Sequence, residues 1–128
     1  MTSFPEEWTR CKHWIEAALE YADGAYTIED VEREIVAGNM HFFPQPASAS
    51  VTEMAEFPGC RFLNVVLAGG ELKEIVAMVP RWKAWAAYLG CDALKVAGRP
   101  GWARALGAGW KTSCVVLTTP VKGHQQNG

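Results

Sequence analysis

The sequence predicts a single α/β domain, of α+β character, in which helices cover both faces of a mixed, largely antiparallel sheet. Apolar residues recur at helical spacing in four segments, and at strand spacing or in continuous apolar runs in five others. Their order reads α-α-β-β-β-α-β-α-β, and alternation of this kind folds the helices back onto the sheet. Size agrees: 128 residues at 49% hydrophobic composition bury one core and not two. The domain is expected over residues 1–122, with a polar tail over 123–128.

The first helix starts at a capping box, Ser3 with Glu6, and tolerates Pro5 in its first turn. Trp8, Cys11, Ile15, Ala18, Leu19 and Ala22 form its apolar stripe, and Asp23-Gly24 ends it. Trp8 and Trp14 lie on different faces, so one of them should be exposed. The second helix begins at Thr27, with Asp30 in its first turn, and stops at Gly38-Asn39. A short strand over residues 40–43 is closed by Pro44 and Pro46. Residues 50–57 alternate, with Val51, Glu53, Ala55 and Phe57 on one face. Pro58-Gly59 turns this strand into an antiparallel partner over residues 60–68, apolar enough for a sheet centre.

Gly69-Gly70 breaks that strand, and a long helix over residues 71–89 follows. Pro80 lacks an N–H and crowds the preceding turn, which predicts a kink or break near Met78 to Pro80. Gly90 caps it, and residues 91–97 form a strand with Leu94 and Val96 on one face. Gly98-Arg99-Pro100-Gly101 leads into a short helix carrying Trp102, Ala105 and Leu106. Residues 110–119, with Cys114, Val115, Val116 and Leu117, form the last strand and a core element. Trp82, Trp85, Trp102 and Trp110 are expected to pack where helices meet the sheet.

Net charge is −2 and the pI about 5.9, so no general attraction to nucleic acid or anionic lipid is built in. The most apolar uncharged stretch, residues 62–70, is too short to span a bilayer. Acids and a proline stand near the N-terminus where a signal peptide carries basic residues and an apolar run, so a cytosolic chain is expected. Cys11, Cys60, Cys91 and Cys114 form no CxxC pair, and His13, His41 and His124 match no zinc spacing. The cysteines read as buried apolar residues in a reducing compartment, and no metal is expected. Walker, GxSxG, HExxH and GxGxxG motifs are absent.

Several short motifs carry a family resemblance. They are Leu63-Asn64-Val65-Val66-Leu67, then Gly69-Gly70, then Ala86-Ala87-Tyr88-Leu89-Gly90-Cys91. Leu94-Lys95-Val96, Trp102-Ala103-Arg104-Ala105-Leu106 and Gly109-Trp110 continue the series. In this order they resemble the GCN5-related N-acetyltransferase (GNAT) superfamily: an apolar strand, a glycine-bearing pyrophosphate loop, a long helix ending in Gly-Cys, a strand and a short helix. Val51-Thr52-Glu53, Leu67-Ala68-Gly69-Gly70, Gly90-Cys91 and Gly98-Arg99-x-Gly101-Trp102 resemble more specifically the small acetyltransferase-like proteins of tailed bacteriophages. The resemblance implies a GNAT-like sheet, with acetyl-CoA, if it binds, held at Leu67, Ala68, Gly69 and Gly70. Two departures stand out. The superfamily's first strand, before the first helix, is missing. The (R/Q)-x-x-G-x-(G/A) loop is reduced to Ala68-Gly69-Gly70-Glu71, which lacks the basic or amide residue and sets a carboxylate where a polyphosphate would lie.

Glu53 is the candidate general base. A half-buried carboxylate has a raised pKa suited to deprotonating an amine; a Glu facing solvent or a sheet edge is the other reading. Gly69 and Gly70 either bind an anion through their N–H groups or simply permit a sharp strand-to-helix turn. Arg99 either holds a phosphate or substrate carboxylate, or satisfies carbonyls or an internal carboxylate such as Glu53 or Asp92. Tyr88 is a poor candidate acid, being on the long helix. The resemblance and the shortened loop together imply a phage protein with weak or absent acyl transfer. It would act through contacts with a phage or host protein, in the host cytoplasm or the virion, with a homo-oligomer as a further possibility. The alternative is an acetyl-CoA-dependent N-acyltransferase acting on an amine acceptor. A third reading is an internal virion component with no ligand.

Overall fold

The structure is a computed structural model and describes residues 3–22, 24–97, 101–113 and 115–121. Its elements run α1 (Phe4–Leu19), α2 (Ile28–Val36), β1 (His41–Gln45), β2 (Ser48–Phe57), β3 (Cys60–Gly70), α3 (Leu72–Ala77), α4 (Val79–Tyr88), β4 (Ala93–Val96) and α5 (Gly101–Leu106). The sheet order is β1-β2-β3-β4. The β1–β2 and β2–β3 pairs are antiparallel and β3–β4 is parallel, so the sheet is mixed and largely antiparallel.

The capping box expected at the first helix forms, and the cap expected at Thr27 closes as a second capping box with Asp30. Ser3 Oγ accepts from the Glu6 N–H while the Glu6 carboxylate accepts from the Ser3 N–H. Thr27 and Asp30 do the same for α2. Each such cap stabilises its helix by about 1 kcal/mol. The buried side chains Trp8, Cys11 and Ile15 recur along one face of α1. They meet Val31 of α2 and Ala49, Val51 and Leu67 of the sheet in a first core. On the opposite face a second core joins Val65 to Ile75, Met78 and Trp82. Alternation along β2 divides the two. Ala49 and Val51 face α1 and α2, whereas buried Ser50 accepts a 3.1 Å hydrogen bond from Trp82 Nε1 on the other side.

The expected break at Pro80 is present: α3 ends before Met78 and α4 begins at Val79, with Pro80 in its first turn. Other expectations are corrected. The first strand does not close at Pro44. It runs to Gln45, and Pro44 pairs with Ala49 on an edge strand, where its missing N–H costs least. The second strand starts at Ser48 rather than Ser50. Gly69 and Gly70 do not break β3 but continue it, opposite Ala49 and Ser48. Neither Trp8 nor Trp14 is exposed: Trp8 is buried and Trp14 packs half-buried against the first core. Cys11 is buried, Cys60 and Cys91 are half-buried, and all three thiols are free. Cys114 lies outside the described residues.

The last strand, expected over residues 110–119, is absent from the described residues. Val115, Val116 and Leu117 are 76%, 79% and 88% exposed, not core. The sheet ends at β4, and this stretch makes no ladder with it. Strand propensity without a paired edge leaves a strand's backbone groups unsatisfied, so the β-branched composition alone does not produce one. Trp110 is accordingly half-buried outside both cores, and only Trp82 of the four expected packing tryptophans is fully buried.

Candidate functional site

β3 is zipped on both sides only along its first half. Its parallel pairing with β4 runs from Phe62↔Ala93 to Val65↔Val96 and stops there. At that level the antiparallel register with β2 also slips: Val51 pairs with Leu67 but Thr52 with Val65, leaving Val66 unopposed. An unopposed residue bends a strand and increases its twist. Val66 and Leu67 consequently both pack toward the first core. Residues 66–70 run on beside β2 without a β4 partner, and the sheet opens as a wedge between the ends of β3 and β4.

The wedge holds a cleft of about 260 Å³. Val65, Val66, Leu67, Ala68, Gly69 and Gly70 form one wall. Val96, Ala97 and Trp102 form another, and the end of α1 with the turn after it closes the cleft through Ala17, Ala18, Glu20 and Tyr21. All four residues expected at a cofactor loop, Leu67, Ala68, Gly69 and Gly70, therefore line one cleft. The α1 contribution was missed by sequence reasoning. The adjacent small residues Ala17 and Ala18 were its only signal, since small side chains let a helix approach a sheet closely.

The turn from β3 into α3 is filled by the chain itself. A Cβ on Gly69 would lie 2.3 Å from the Trp14 carbonyl oxygen. Gly70 has φ +111°, and a Cβ there would lie 2.4 Å from the Ala47 carbonyl oxygen and 2.5 Å from Ser48 Cα. The Glu71 N–H donates to that same Ala47 oxygen at 2.9 Å. Glu74 reaches back from α3 to accept from the Ala47 N–H at 2.9 Å and the Ser48 hydroxyl at 2.7 Å. On the other side Arg10 of α1 donates to the Pro46 carbonyl at 3.2 Å. The Pro46-Ala47 turn between β1 and β2 is thus packed against the end of β3 on its β2 side. Glu71 is the N-cap residue of α3 and makes no side-chain hydrogen bond there. Of the backbone N–H groups that a pyrophosphate would use here, that of Glu71 is already taken by Ala47.

Glu53 is not brought to the cleft. It shares a sheet face with Val51, stands opposite Asn64 in the ladder, and is hydrogen-bonded to Tyr26. Burial pushes its carboxyl above the usual range. The Tyr26 hydrogen bond pulls it back, and the nearby Glu34 carboxylate adds to the rise. Burial likewise raises the Tyr26 hydroxyl. Asp92, the other carboxylate offered to Arg99, accepts from the Arg61 N–H at 2.9 Å. Arg99 itself lies outside the described residues. Tyr88 is exposed, stacked on Trp85, and not part of the cleft. On the α4 side of the sheet His41 contacts Thr52 Oγ1 at 2.9 Å and the Trp85 ring edge-on, and burial lowers its pKa. Among the described residues no group of three His, Cys, Asp or Glu side chains could hold a metal ion. No helix among them is long and apolar enough to cross a membrane.

Neither a scan against protein-family models nor a search of curated proteins finds a match. Solved structures do match. The fold is similar to that of TTHA1254 from Thermus thermophilus. A point mutant of that protein superposes with a TM-score of 0.64 and the wild type with 0.62, each at 12% identity over 97% of both chains. At that identity the likeness is one of fold, and function has to be argued from the site.

Proposed function

We propose that this chain is an acetyltransferase-like, phage-type protein that has lost, or never had, efficient acyl transfer and works through protein contacts. One observation carries the reading: the turn at Gly69, Gly70 and Glu71 is occupied by Ala47, Ser48 and the Trp14 carbonyl of the same chain. An acyl-CoA enzyme needs that turn free, because its backbone N–H groups are the electrostatic anchor for the pyrophosphate. The candidate base Glu53 stands away from the cleft lining, tied to Tyr26. The parallel pair β3–β4, parted at Val66, supports a GNAT-like ancestry for the sheet. That same wedge favours a second reading, an acetyl-CoA-dependent N-acyltransferase using the cleft.

Isothermal titration with acetyl-CoA separates the two. The expected result is no saturable heat up to about 1 mM ligand, a ceiling near 4 kcal/mol of binding free energy. A micromolar dissociation constant would establish the enzyme reading instead.

A further inference from the structure

We propose that the wedge between β3 and β4 takes up an extended, basic peptide segment of a partner protein, which pairs as an added strand with the free edge of β3 at Ala68 and Gly70. This names the partner class for the protein contacts proposed above and rests on that reading, since the same cleft would otherwise be kept for acyl-CoA. The free edge follows from the register. In an antiparallel ladder, residues exchange both N–H···O bonds with their partners at every second position and turn both groups away at the others. The Glu71 N–H bonds to the Ala47 carbonyl, and pairing runs one to one from Gly70 opposite Ser48 to Leu67 opposite Val51. Gly69 and Leu67 therefore bond to β2, whereas Ala68 and Gly70 turn their N–H and C=O groups toward the side where β4 is missing. Pairing with β4 stops at Val65, and among the described residues no other backbone group bonds to Ala68 or Gly70.

The chemistry of the cleft selects the occupant. Ala68 and Gly70 offer two donor–acceptor pairs about 6.8 Å apart, the repeat of an extended chain. A peptide added at a sheet edge satisfies such pairs through its own main chain, and its alternate side chains meet the flanking walls. Those walls are Ala17 and Ala18 of α1 on one side and Val96 and Trp102 on the other. Charge decides between a basic and an anionic occupant. Glu20 is the one charged side chain lining the cleft among the described residues. It stands at the C-terminal end of α1, whose last turn holds no basic residue and where the helix dipole is negative. A lysine or arginine on the entering strand finds the Glu20 carboxylate and the Trp102 ring in the same cleft, whereas a carboxylate or phosphate is repelled there.

Backbone amide resonances and hydrogen exchange of the isotopically labelled full chain test it. The probes are a blocked pentapeptide of alternating valine and lysine and its counterpart with glutamate in place of lysine. In the free protein the Ala68 and Gly70 amides should exchange quickly, while those of Leu67 and Gly69 are protected. The lysine peptide should shift and slow the first pair saturably below about 5 mM, and the glutamate peptide should bind roughly fivefold more weakly. Glu20→Lys alters an exposed side chain, so the fold should persist and the preference between the two peptides should reverse. Four results each overturn the inference: Ala68 and Gly70 already protected in the free protein, no saturable shift with the lysine peptide, equal affinity for both peptides, or a preference untouched by Glu20→Lys. Coenzyme A is the third ligand. Its saturable binding at the same amides overturns the reading of function together with this inference. Silence toward coenzyme A and the lysine peptide alike overturns this inference alone.

Discussion

The two halves of β3 are one continuous strand with two environments. From Phe62 to Val65 it is held by β2 on one side and β4 on the other. Beyond Val66 only β2 remains; the cleft opens where β4 ends, α1 packs on Gly69 and the Pro46-Ala47 turn meets Gly70 from the β2 side. The difference teaches that an opened sheet is necessary for a ligand cleft of this kind but not sufficient. What decides is whether the backbone groups and the space freed by the opening stay free. Here the opening leaves a cleft of about 260 Å³, while the Cβ side of Gly69 and Gly70 is packed by the same chain and the Glu71 N–H is taken by Ala47.

Large-to-small changes in the two halves should have the largest effects. Leu63→Ala and Leu67→Ala each remove a buried side chain and should cost about 2–5 kcal/mol, read by urea denaturation. Leu63 is locked between two neighbouring strands and should sit near the top of that range. Equal costs would mean that the open half is packed as rigidly as the zipped half. Next comes Gly69→Ala, which drives a methyl group against the Trp14 carbonyl and should cost about 1–3 kcal/mol. Its control is Gly59→Ala at the hairpin turn, where a Cβ meets nothing within 4 Å and the change should stay within about 0.5 kcal/mol. If Gly69→Ala were equally silent, the turn would not be filled as described.

Glu74→Ala removes the acceptor for the Ala47 N–H and the buried Ser48 hydroxyl, and should cost about 1–3 kcal/mol. It should also loosen the Pro46-Ala47 turn, seen as faster amide exchange at Glu71. The smallest effect is a pH dependence in the zipped half. The folded-state pKa of Glu53 lies above its unfolded value of about 4.3. The stability it contributes is present below that value and is lost as pH rises through the folded pKa. Glu53→Gln should therefore flatten the stability profile on the alkaline side of about pH 4.3. His41 acts in the opposite sense. Its folded pKa is depressed, so its contribution is present above about 6.5 and lost as pH falls through the folded value.

Much of this architecture is legible in the residues. Ser3 with Glu6 and Thr27 with Asp30 announce the first two helices, because a capping box is a local arrangement that sequence alone specifies. Pro80 announces the division of α3 from α4 for the same reason. The hairpin through Pro58-Gly59 is equally local. What could not be read depends on partners distant in sequence. The slip at Val66 is a property of the register with β2, and no residue type marks it. Gly69 and Gly70 have the composition of a chain break, yet they are strand residues because Trp14 and Ala47 need their missing side chains. Val115, Val116 and Leu117 have the composition of a core strand, yet they are exposed and make no ladder with β4. For the cleft, Leu67, Ala68, Gly69 and Gly70 were legible as one group, whereas Glu53 was placed by its face of β2 and not by its chemistry.

The closed turn can be interrogated directly by following backbone amide resonances while coenzyme A is titrated into the isotopically labelled protein. On the proposed reading the amides of residues 69–74 should stay at their free positions throughout, the Glu71 N–H remaining bonded to Ala47. Saturable shifts concentrated at those amides, with the Glu71 N–H released from Ala47, would contradict it.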